Sequence, residues 1–256
     1  MKKFVYDFSE GTKDMKELLG GKGSNLASMK NLGMPVPDGF IVTTEACNKY
    51  YLEGEKISTD IEEEIYQHLA DLEKRTGKIL GDVNNPLLVS VRSGARSSMP
   101  GMMDTILNLG LNDDIALSFT KITNNKRFVY DSYRRLIMMF ADVVMGKDKS
   151  LFEKYLANYK KEHGYINDTD LTGDDWYNVS EKYKEMYQEL TNEAFPQDAN
   201  RQLIMAIGAV FRSWNNKRAI YYRKINNIPD DWGTAVNIQT MVYGNKNNNS
   251  GTGVAF

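Results

Sequence analysis

The spacing of glycine and of apolar residues changes twice along this 256-residue chain, and this change constrains the fold more than any other feature. Residues 1–110 contain frequent Gly and Pro between short apolar runs, which is typical of strands and helices joined by turns. In residues 111–197 glycine becomes rare, Tyr and Lys become common, and apolar residues recur at helical spacing. Residues 198–243 return to a mixed pattern. We therefore predict an α+β fold in which a mostly helical insertion, residues 111–197, interrupts an α/β part formed by residues 1–110 and 198–243.

Individual elements follow from the same periodicities. Strands are predicted where β-branched runs lie between turn residues, over 4–8, 40–43, 87–91 and 234–243. Helices are predicted over 22–32, 61–75, 129–144, 151–162, 174–190, 201–214 and 217–226. The clearest helix start is Thr172, because Asp174 and Asp175 follow it and carboxylates in a first turn suit the helix dipole. Residues 244–250 are predicted to form a hairpin loop, with a returning strand beginning in 251–256.

Charge and cysteine content exclude several classes of protein. The 32 basic and 34 acidic residues give a net charge of −2, which argues against general nucleic-acid binding. No apolar run approaches the roughly 20 residues that a membrane span needs, and the N-terminus turns polar too soon for a signal peptide. The single cysteine, Cys47, excludes an internal disulfide and a Cys-rich metal site, and we expect it to be a buried structural thiol. The sequence therefore predicts a cytoplasmic protein with no nucleic-acid or membrane partner.

A glycine-rich segment, residues 20–25, comes directly before the first predicted helix. Its glycines allow a ligand to approach the backbone closely, and free N–H groups at a helix N-terminus attract anions. Lys22 would add a point charge for phosphate. The segment does not have Walker A spacing, because Lys16 stands where that motif needs glycine and Gly23 where it needs Ser or Thr. A phosphate-binding loop and a flexible turn with a solvated lysine are both consistent with this pattern.

Residues 90–105 form a second candidate, because they follow a short apolar strand and combine glycines, hydroxyls and two arginines. Arg92 and Arg96 carry permanent, forked charge that suits phosphate oxygens, whereas a surface loop with ordinary arginines is the alternative. The three methionines of this segment, Met99, Met102 and Met103, are more typical of core packing, although they could also form an apolar floor for a base ring.

Other polar residues give weaker signals. His68 and His163 lie in highly charged helical segments, and neither belongs to a nucleophilic or metal-binding motif, so both are expected to be solvated. No pair of carboxylates has the strand-and-loop context that would hold magnesium, so no metal ligand is predicted within this sequence.

Five segments of the sequence are diagnostic, namely residues 19–26, 33–40, 91–112, 211–214 with 217–219, and 231–236. They closely resemble the pyruvate, phosphate dikinase family, and the resemblance extends over essentially the whole chain. The related phosphoenolpyruvate synthases share the Gly-Gly-Lys loop and the Val-Arg-Ser core. They lack the Met-Pro-Gly-Met-Met-Asp-Thr continuation found at residues 99–105. A dikinase is therefore favoured, and a synthase-like ATP-binding domain is the alternative.

The resemblance implies an incomplete ATP-grasp nucleotide-binding domain at the N-terminus of a much longer enzyme. In that family ATP transfers its β,γ-phosphates to a histidine on another domain, in the conversion of ATP, phosphate and pyruvate to AMP, diphosphate and phosphoenolpyruvate. The residues that match ATP-binding positions are Lys22, Arg92, Gly94, Arg96, Gly101, Met103 and Thr105. The implied cofactors are ATP and magnesium, with metal ligands expected beyond Phe256. The implied partners are the phosphohistidine and pyruvate-binding domains of a homodimeric parent.

No catalytic residue is expected within the chain, because neither histidine lies in the Thr-Ser-His setting of the family's phosphohistidine. The 256-residue chain alone is therefore expected to have no dikinase turnover, and residues 244–256 are expected to begin the second ATP-grasp lobe. Two other hypotheses remain open. One is a non-catalytic nucleotide-binding module, and the other is a helical interaction domain formed by residues 111–197.

Overall fold

The computed structural model describes residues 2–253 and places a mixed set of strands and helices in them. Its sheet consists of β1 (Val5–Asp7), β2 (Gly39–Val42), β3 (Val89–Ala95), β4 (Thr105–Leu109) and β5 (Thr234–Thr240). The spatial order is β1-β2-β5-β3-β4, and each neighbouring pair is antiparallel. The last strand in the sequence is therefore the central strand of the sheet.

Helices cover both faces of this sheet and fill the region between β4 and β5. They are α1 (Lys16–Asn31), α2 (Thr44–Leu52), α3 (Thr59–Thr76), α4 (Asp113–Thr123), α5 (Lys126–Met139), α6 (Ser150–Glu162), α7 (Gly173–Thr191), α8 (Ala199–Ser213) and α9 (Lys217–Ile225). A π-helical turn, Phe140–Val144, continues α5. The antiparallel sheet and its surrounding helices confirm the predicted α+β fold class.

Three elements were missed by the sequence prediction, and several others differ from it in their bounds, for example β3, which extends to Ala95 rather than to residue 91. α2, α4 and β4 were not predicted. β4 pairs with β3 through a bulge at Asn108, which has a φ of 62° and donates its buried side-chain N–H to the carbonyl of Ser132 at 3.2 Å. β5 ends at Thr240 rather than at residue 243. No further strand follows within residues 241–253, and residues 254–256 of the predicted returning strand lie outside the described part of the chain.

The central strand β5 is buried on both faces, and the side chains on one of these faces contact the first helix, α1. Alternation in β5 predicts a half-buried strand, but residues 234–239 are all buried, because helices pack on each side. Ala235 packs with Leu19 and Ile41 on the α1 side, whereas Val236 and Ile238 join the larger core on the other side. Asn237 also faces α1 and is fully buried. A polar side chain thus lies beneath the first helix.

The predicted helix start at Thr172 is confirmed. Its hydroxyl accepts a hydrogen bond from the backbone N–H of Asp175, while the Asp175 carboxylate accepts one from the backbone N–H of Thr172 at 2.8 Å. The hydroxyls of Tyr159 and Tyr165 donate to the same carboxylate at 2.9 and 3.1 Å. Asp175 therefore joins the start of α7 to α6. Among the helices described within residues 2–253, none combines the length and apolarity needed to cross a membrane.

Candidate functional site

A break inside α1 brings the two glycine-rich segments into direct contact. Gly20 has a φ of 69° and a ψ of 169°, so the helix is interrupted there and continues from Gly21, close to the start predicted from sequence. A Cβ placed on Gly20 would lie 1.7 Å from the carbonyl oxygen of Gly94 at the end of β3. Only glycine fits both the left-handed conformation and this close approach. The backbone of α1 is therefore seated directly on the start of the second loop.

Lys22 lies in the first turn after this break and connects the two segments. Its Nζ donates a hydrogen bond to the carbonyl oxygen of Ser93 at 2.9 Å. Burial lowers the pKa of Lys22, and the positive charge of Arg92 lowers it further. Two cations thus interact across the junction of α1 and β3, an arrangement that an anionic ligand would stabilise.

A cavity of about 550 Å³ opens between α1 and the loop that joins β3 to β4. Of its lining residues in the described part of the chain, three are basic, Lys16, Lys22 and Arg96, and none is acidic. The rest of the lining is small, hydroxylic, amide or apolar, and comprises Gly21, Asn25, Ser93, Gly94, Ala95, Ser97, Ser98, Met99, Pro100, Gly101, Met103 and Thr105. Basic side chains beside glycine and hydroxyl groups favour binding of a polyanion such as phosphate.

Most of the site residues predicted from the sequence line this one cavity. Those in the lining are Lys22, Gly94, Arg96, Gly101, Met103 and Thr105. Arg92 is not in the lining. It lies on β3 opposite Asn237 and acts on the cavity through its charge beside Lys22. The structure therefore brings together two segments that are far apart in the sequence.

Arg96 has hydrogen-bonding capacity that the protein itself leaves largely unused. Its buried Nε has no partner among the described residues, and its Nη1 lies 3.8 Å from a carboxylate oxygen of Glu17, whose side chain is 87% exposed. Its Cζ lies 5.4 Å from the ring centroid of Trp232. A guanidinium has five N–H donors, and on Arg96 the Nε donor is buried whereas the terminal N–H groups remain available to a ligand.

The loop between β3 and β4 is anchored on both sides of a free tip. Tyr222 donates its hydroxyl to the carbonyl of Ser98 at 3.4 Å, and Asn216 donates to the carbonyl of Met102 at 2.8 Å. Met99 is buried in a small apolar cluster, as its core interpretation predicts. Gly101 forms the exposed tip with a φ of 71°, and no atom would contact a Cβ there. The loop is therefore held at its flanks and open at Gly101.

Some neighbours of the cavity carry no clear sequence signal. Lys16 lies before the helix break, at the position where a Walker A motif would have a glycine. Its side chain lines the cavity. Trp232 is distant from Arg96 in the sequence, so no spacing could connect them. An excess of basic residues on the predicted helix start could have indicated Lys16, but only the fold could place Trp232.

A larger concavity lies elsewhere on the surface and is a weaker candidate. It measures about 830 Å³ and includes side chains of both charges. These charges are already paired, since Lys49 lies 2.6 Å from Asp60 and Lys2 lies 3.2 Å from Glu45. Glu64 accepts hydrogen bonds from two backbone N–H groups at the start of β1. Among the described residues that line it, most charges are thus neutralised within the protein, unlike the basic groups of the smaller cavity.

Asp7, Glu10 and His68 also lie close enough together to suggest a metal site. However, both oxygens of Asp7 accept hydrogen bonds from Arg75, at 2.8 and 3.1 Å, and Lys3 pairs with Glu10. The group is therefore better described as an ion-pair network. The prediction that His68 is solvated was wrong, because its side chain is only 12% exposed between α3 and this network. His163 is exposed, with its ring stacked on a tyrosine.

Comparison with known proteins assigns the chain to a family. A family model described as the pyruvate phosphate dikinase AMP/ATP-binding domain matches residues 16–79 and 51–256. The chain is 59% identical to the pyruvate, phosphate dikinase of Clostridium symbiosum over 257 residues, an alignment that covers 100% of the chain and 29% of that protein.

Two further relatives show similar agreement. Identity is 50% over 260 residues to the pyruvate, phosphate dikinase of Rhizobium meliloti (strain 1021), covering 100% of the chain and 29% of the relative. It is 54% over 248 residues to the chloroplastic enzyme of Mesembryanthemum crystallinum, covering 97% and 26%. The chain thus spans less than a third of these relatives. By its residues and by these matches, it belongs to the pyruvate, phosphate dikinase family.

Proposed function

We propose that this chain is the first part of an ATP-grasp nucleotide-binding domain in a pyruvate, phosphate dikinase, and that its cavity holds the phosphates of ATP. The observation that carries the proposal is the meeting of Lys16, Lys22 and Arg96 at one cavity that has no acidic side chain among its described lining residues. The match to an AMP/ATP-binding domain supports a nucleotide as the source of the phosphates.

Each of the predicted residues has a role that its position supports. Lys22 and Arg92 would neutralise negative charge on the phosphates from the junction of α1 and β3. Arg96 would add forked hydrogen bonds from the loop. Gly94 allows α1 and Asn237 to pack closely against β3, Gly101 leaves the backbone of the loop tip exposed, and Met103 and Thr105 lie at the β4 end of the same cavity. Together these groups would orient the triphosphate for transfer.

The reaction proposed for the full-length enzyme is that of the family. ATP would donate its β,γ-phosphates to a histidine on another domain, and phosphate and pyruvate would complete the conversion to AMP, diphosphate and phosphoenolpyruvate. We also propose a cytoplasmic, homodimeric enzyme. Magnesium normally accompanies ATP phosphates and prefers carboxylate ligands. The described lining residues include no carboxylate, so we assign the metal to none of them.

Arg92→Ala in the full-length dikinase tests the proposal. Loss of one positive charge near the phosphates is expected to weaken binding of an ATP analogue by about 10-fold, the scale of a through-space charge interaction worth about 1.4 kcal/mol. Phosphorylation of the acceptor histidine by ATP should fall as well. The control is Arg201→Ala, since Arg201 has a 61% exposed side chain and does not line the cavity. Unchanged affinity and unchanged histidine phosphorylation in Arg92→Ala would refute the role given to Arg92.

A further inference from the structure

The indole of Trp232 lies against the guanidinium of Arg96 at the rim of the cavity. The distance of 5.4 Å from Cζ to the ring centroid lies within the range of cation–π attraction. The other charged neighbour of Arg96 is Glu17, at 3.8 Å and largely exposed, so that ion pair is weak. Within residues 2–253, the aromatic ring is therefore the main group that can orient this cation.

The backbone that carries Trp232 is fixed by three separate elements. The side chain of Asn48 in α2 donates to the carbonyl of Asp231 at 2.9 Å. The indole N–H of Trp214 donates to the carbonyl of Asp230 at 2.8 Å, and Arg223 donates to the Asp230 carboxylate at 2.7 Å. These bonds anchor the short turn before β5 and restrain the backbone that carries Trp232.

An aromatic ring beside Arg96 has a different effect on its guanidinium from that of a carboxylate partner. A carboxylate would neutralise Arg96 and occupy its N–H donors, whereas a ring attracts the cation through its face and leaves the N–H edges free. Within the described residues, the carboxylate beside Arg96 is that of Glu17, which lies 3.8 Å from Nη1 and so beyond hydrogen-bond distance, in agreement with this arrangement. The guanidinium is thus oriented without being neutralised.

We propose that Trp232 is a positioning residue that holds the guanidinium of Arg96 toward the phosphates of the bound nucleotide. The inference rests on the proposed function, because it assumes that Arg96 contacts those phosphates. Trp232 itself touches no phosphate in this proposal. Trp232 restricts the conformations of the Arg96 side chain before the nucleotide binds, and this restriction lowers the conformational entropy that Arg96 loses on binding.

Two substitutions of Trp232 in the full-length dikinase distinguish the effect of its aromatic ring on Arg96 from the effect of its apolar packing. Trp232→Leu keeps an apolar side chain in the cluster with Met99 and Trp214 but removes the π face, whereas Trp232→Phe keeps a ring. Trp232→Leu is expected to weaken binding of a non-hydrolysable ATP analogue by about 3- to 10-fold, and Trp232→Phe should stay close to the unsubstituted enzyme. Binding of adenosine, which lacks phosphates, should be unchanged in both.

A double-mutant cycle identifies the residue through which Trp232 acts. If the inference is right, Trp232→Leu has no further effect on ATP-analogue affinity in an Arg96→Ala background. Full retention of affinity in Trp232→Leu, or an equal loss for adenosine, would overturn the inference. If Arg96→Ala weakens binding while Trp232→Leu does not, the inference alone fails. If Arg96→Ala itself binds the analogue normally, the proposed role of Arg96 fails and the inference fails with it.

Discussion

Gly20→Ala is expected to push apart the two segments that enclose the cavity. The new Cβ would lie 1.7 Å from the carbonyl oxygen of Gly94, and neither atom can rotate away, because the position of a Cβ is fixed by its own backbone and the oxygen is part of the backbone. Real Cβ contacts begin near 3.0 Å, so the distance must increase by about 1.3 Å. This displacement would separate Lys22, which moves with α1, from Ser93, which moves with β3.

Two energetic costs contribute to the expected loss of stability. An L-residue at the φ of 69° and ψ of 169° found here costs about 1–3 kcal/mol. Displacement of closely packed backbone adds about 1–3 kcal/mol. We therefore expect the local free energy of opening at the α1–β3 junction to fall by about 2–6 kcal/mol. Because a misplacement of about 1 Å can lower a rate by about 100-fold, histidine phosphorylation should fall by a similar factor.

Hydrogen exchange of amides in α1 and β3, together with single-turnover phosphorylation of the histidine, measures both effects in the full-length enzyme. Gly33→Ala is the matched control. Gly33 has a φ of 76°, but no atom lies within 4 Å of its would-be Cβ, so the substitution incurs backbone strain alone. Equal exchange rates and equal turnover for Gly20→Ala and Gly33→Ala would refute the reasoning from the contact with Gly94.

Three further predictions concern titratable groups. Arg92→Met removes a positive charge that lowers the pKa of Lys22, so Lys22 should stay protonated to higher pH. The affinity for an ATP analogue should therefore begin to fall at a higher pH than in the unsubstituted enzyme, and the same pH dependence in both proteins would contradict this prediction. Burial raises the pKa of the Cys47 thiol to about 12, so iodoacetamide should label Cys47 only after denaturation, as peptide mass spectrometry can show. Burial raises the pKa of Asp175, but hydrogen bonds from Thr172 and two tyrosines lower it to about 2, below the ordinary 3.8. Asp175→Asn should therefore destabilise α7 by about 1–2 kcal/mol at neutral pH, and this difference should shrink as acid protonates the native carboxylate, which hydrogen exchange at several pH values can measure.

The periodicity of apolar residues was sufficient to predict the long helices but not the short elements. Amphipathic helices such as α3 and α7 have several turns, so their apolar spacing is unambiguous. β4 is a five-residue strand that follows a Met- and Gly-rich loop and contains a bulge, so its alternation is interrupted. In α4, Leu117 and Ile122 are exposed, and this blurs the apolar face on which a helix prediction depends.

The candidate site could be predicted only as two separate loops. Local residue types identified Lys22 in one loop and Arg96 in the other, and the family resemblance added their expected ligand. The contact of Gly20 with Gly94 joins residues that are far apart in the sequence, and it depends on how α1 packs against the sheet. The placement of Trp232 depends on hydrogen bonds from three other elements. Such tertiary geometry leaves no periodic signal in the sequence.

The position of β5 determines the order in which the sheet can assemble on the ribosome. β1 can pair with β2, and β3 with β4, soon after they are made, but these two pairs are joined only through β5. About 125 residues separate Leu109 from Thr234, so synthesis at about 5–20 residues per second leaves an interval of roughly 6–25 s. During that interval β2 and β3 each have an unpaired edge, which is a template for aggregation. A nascent chain that stops before residue 234 is therefore expected to need shielding by a chaperone, and pairing of the seven-residue β5 with both edges removes that need.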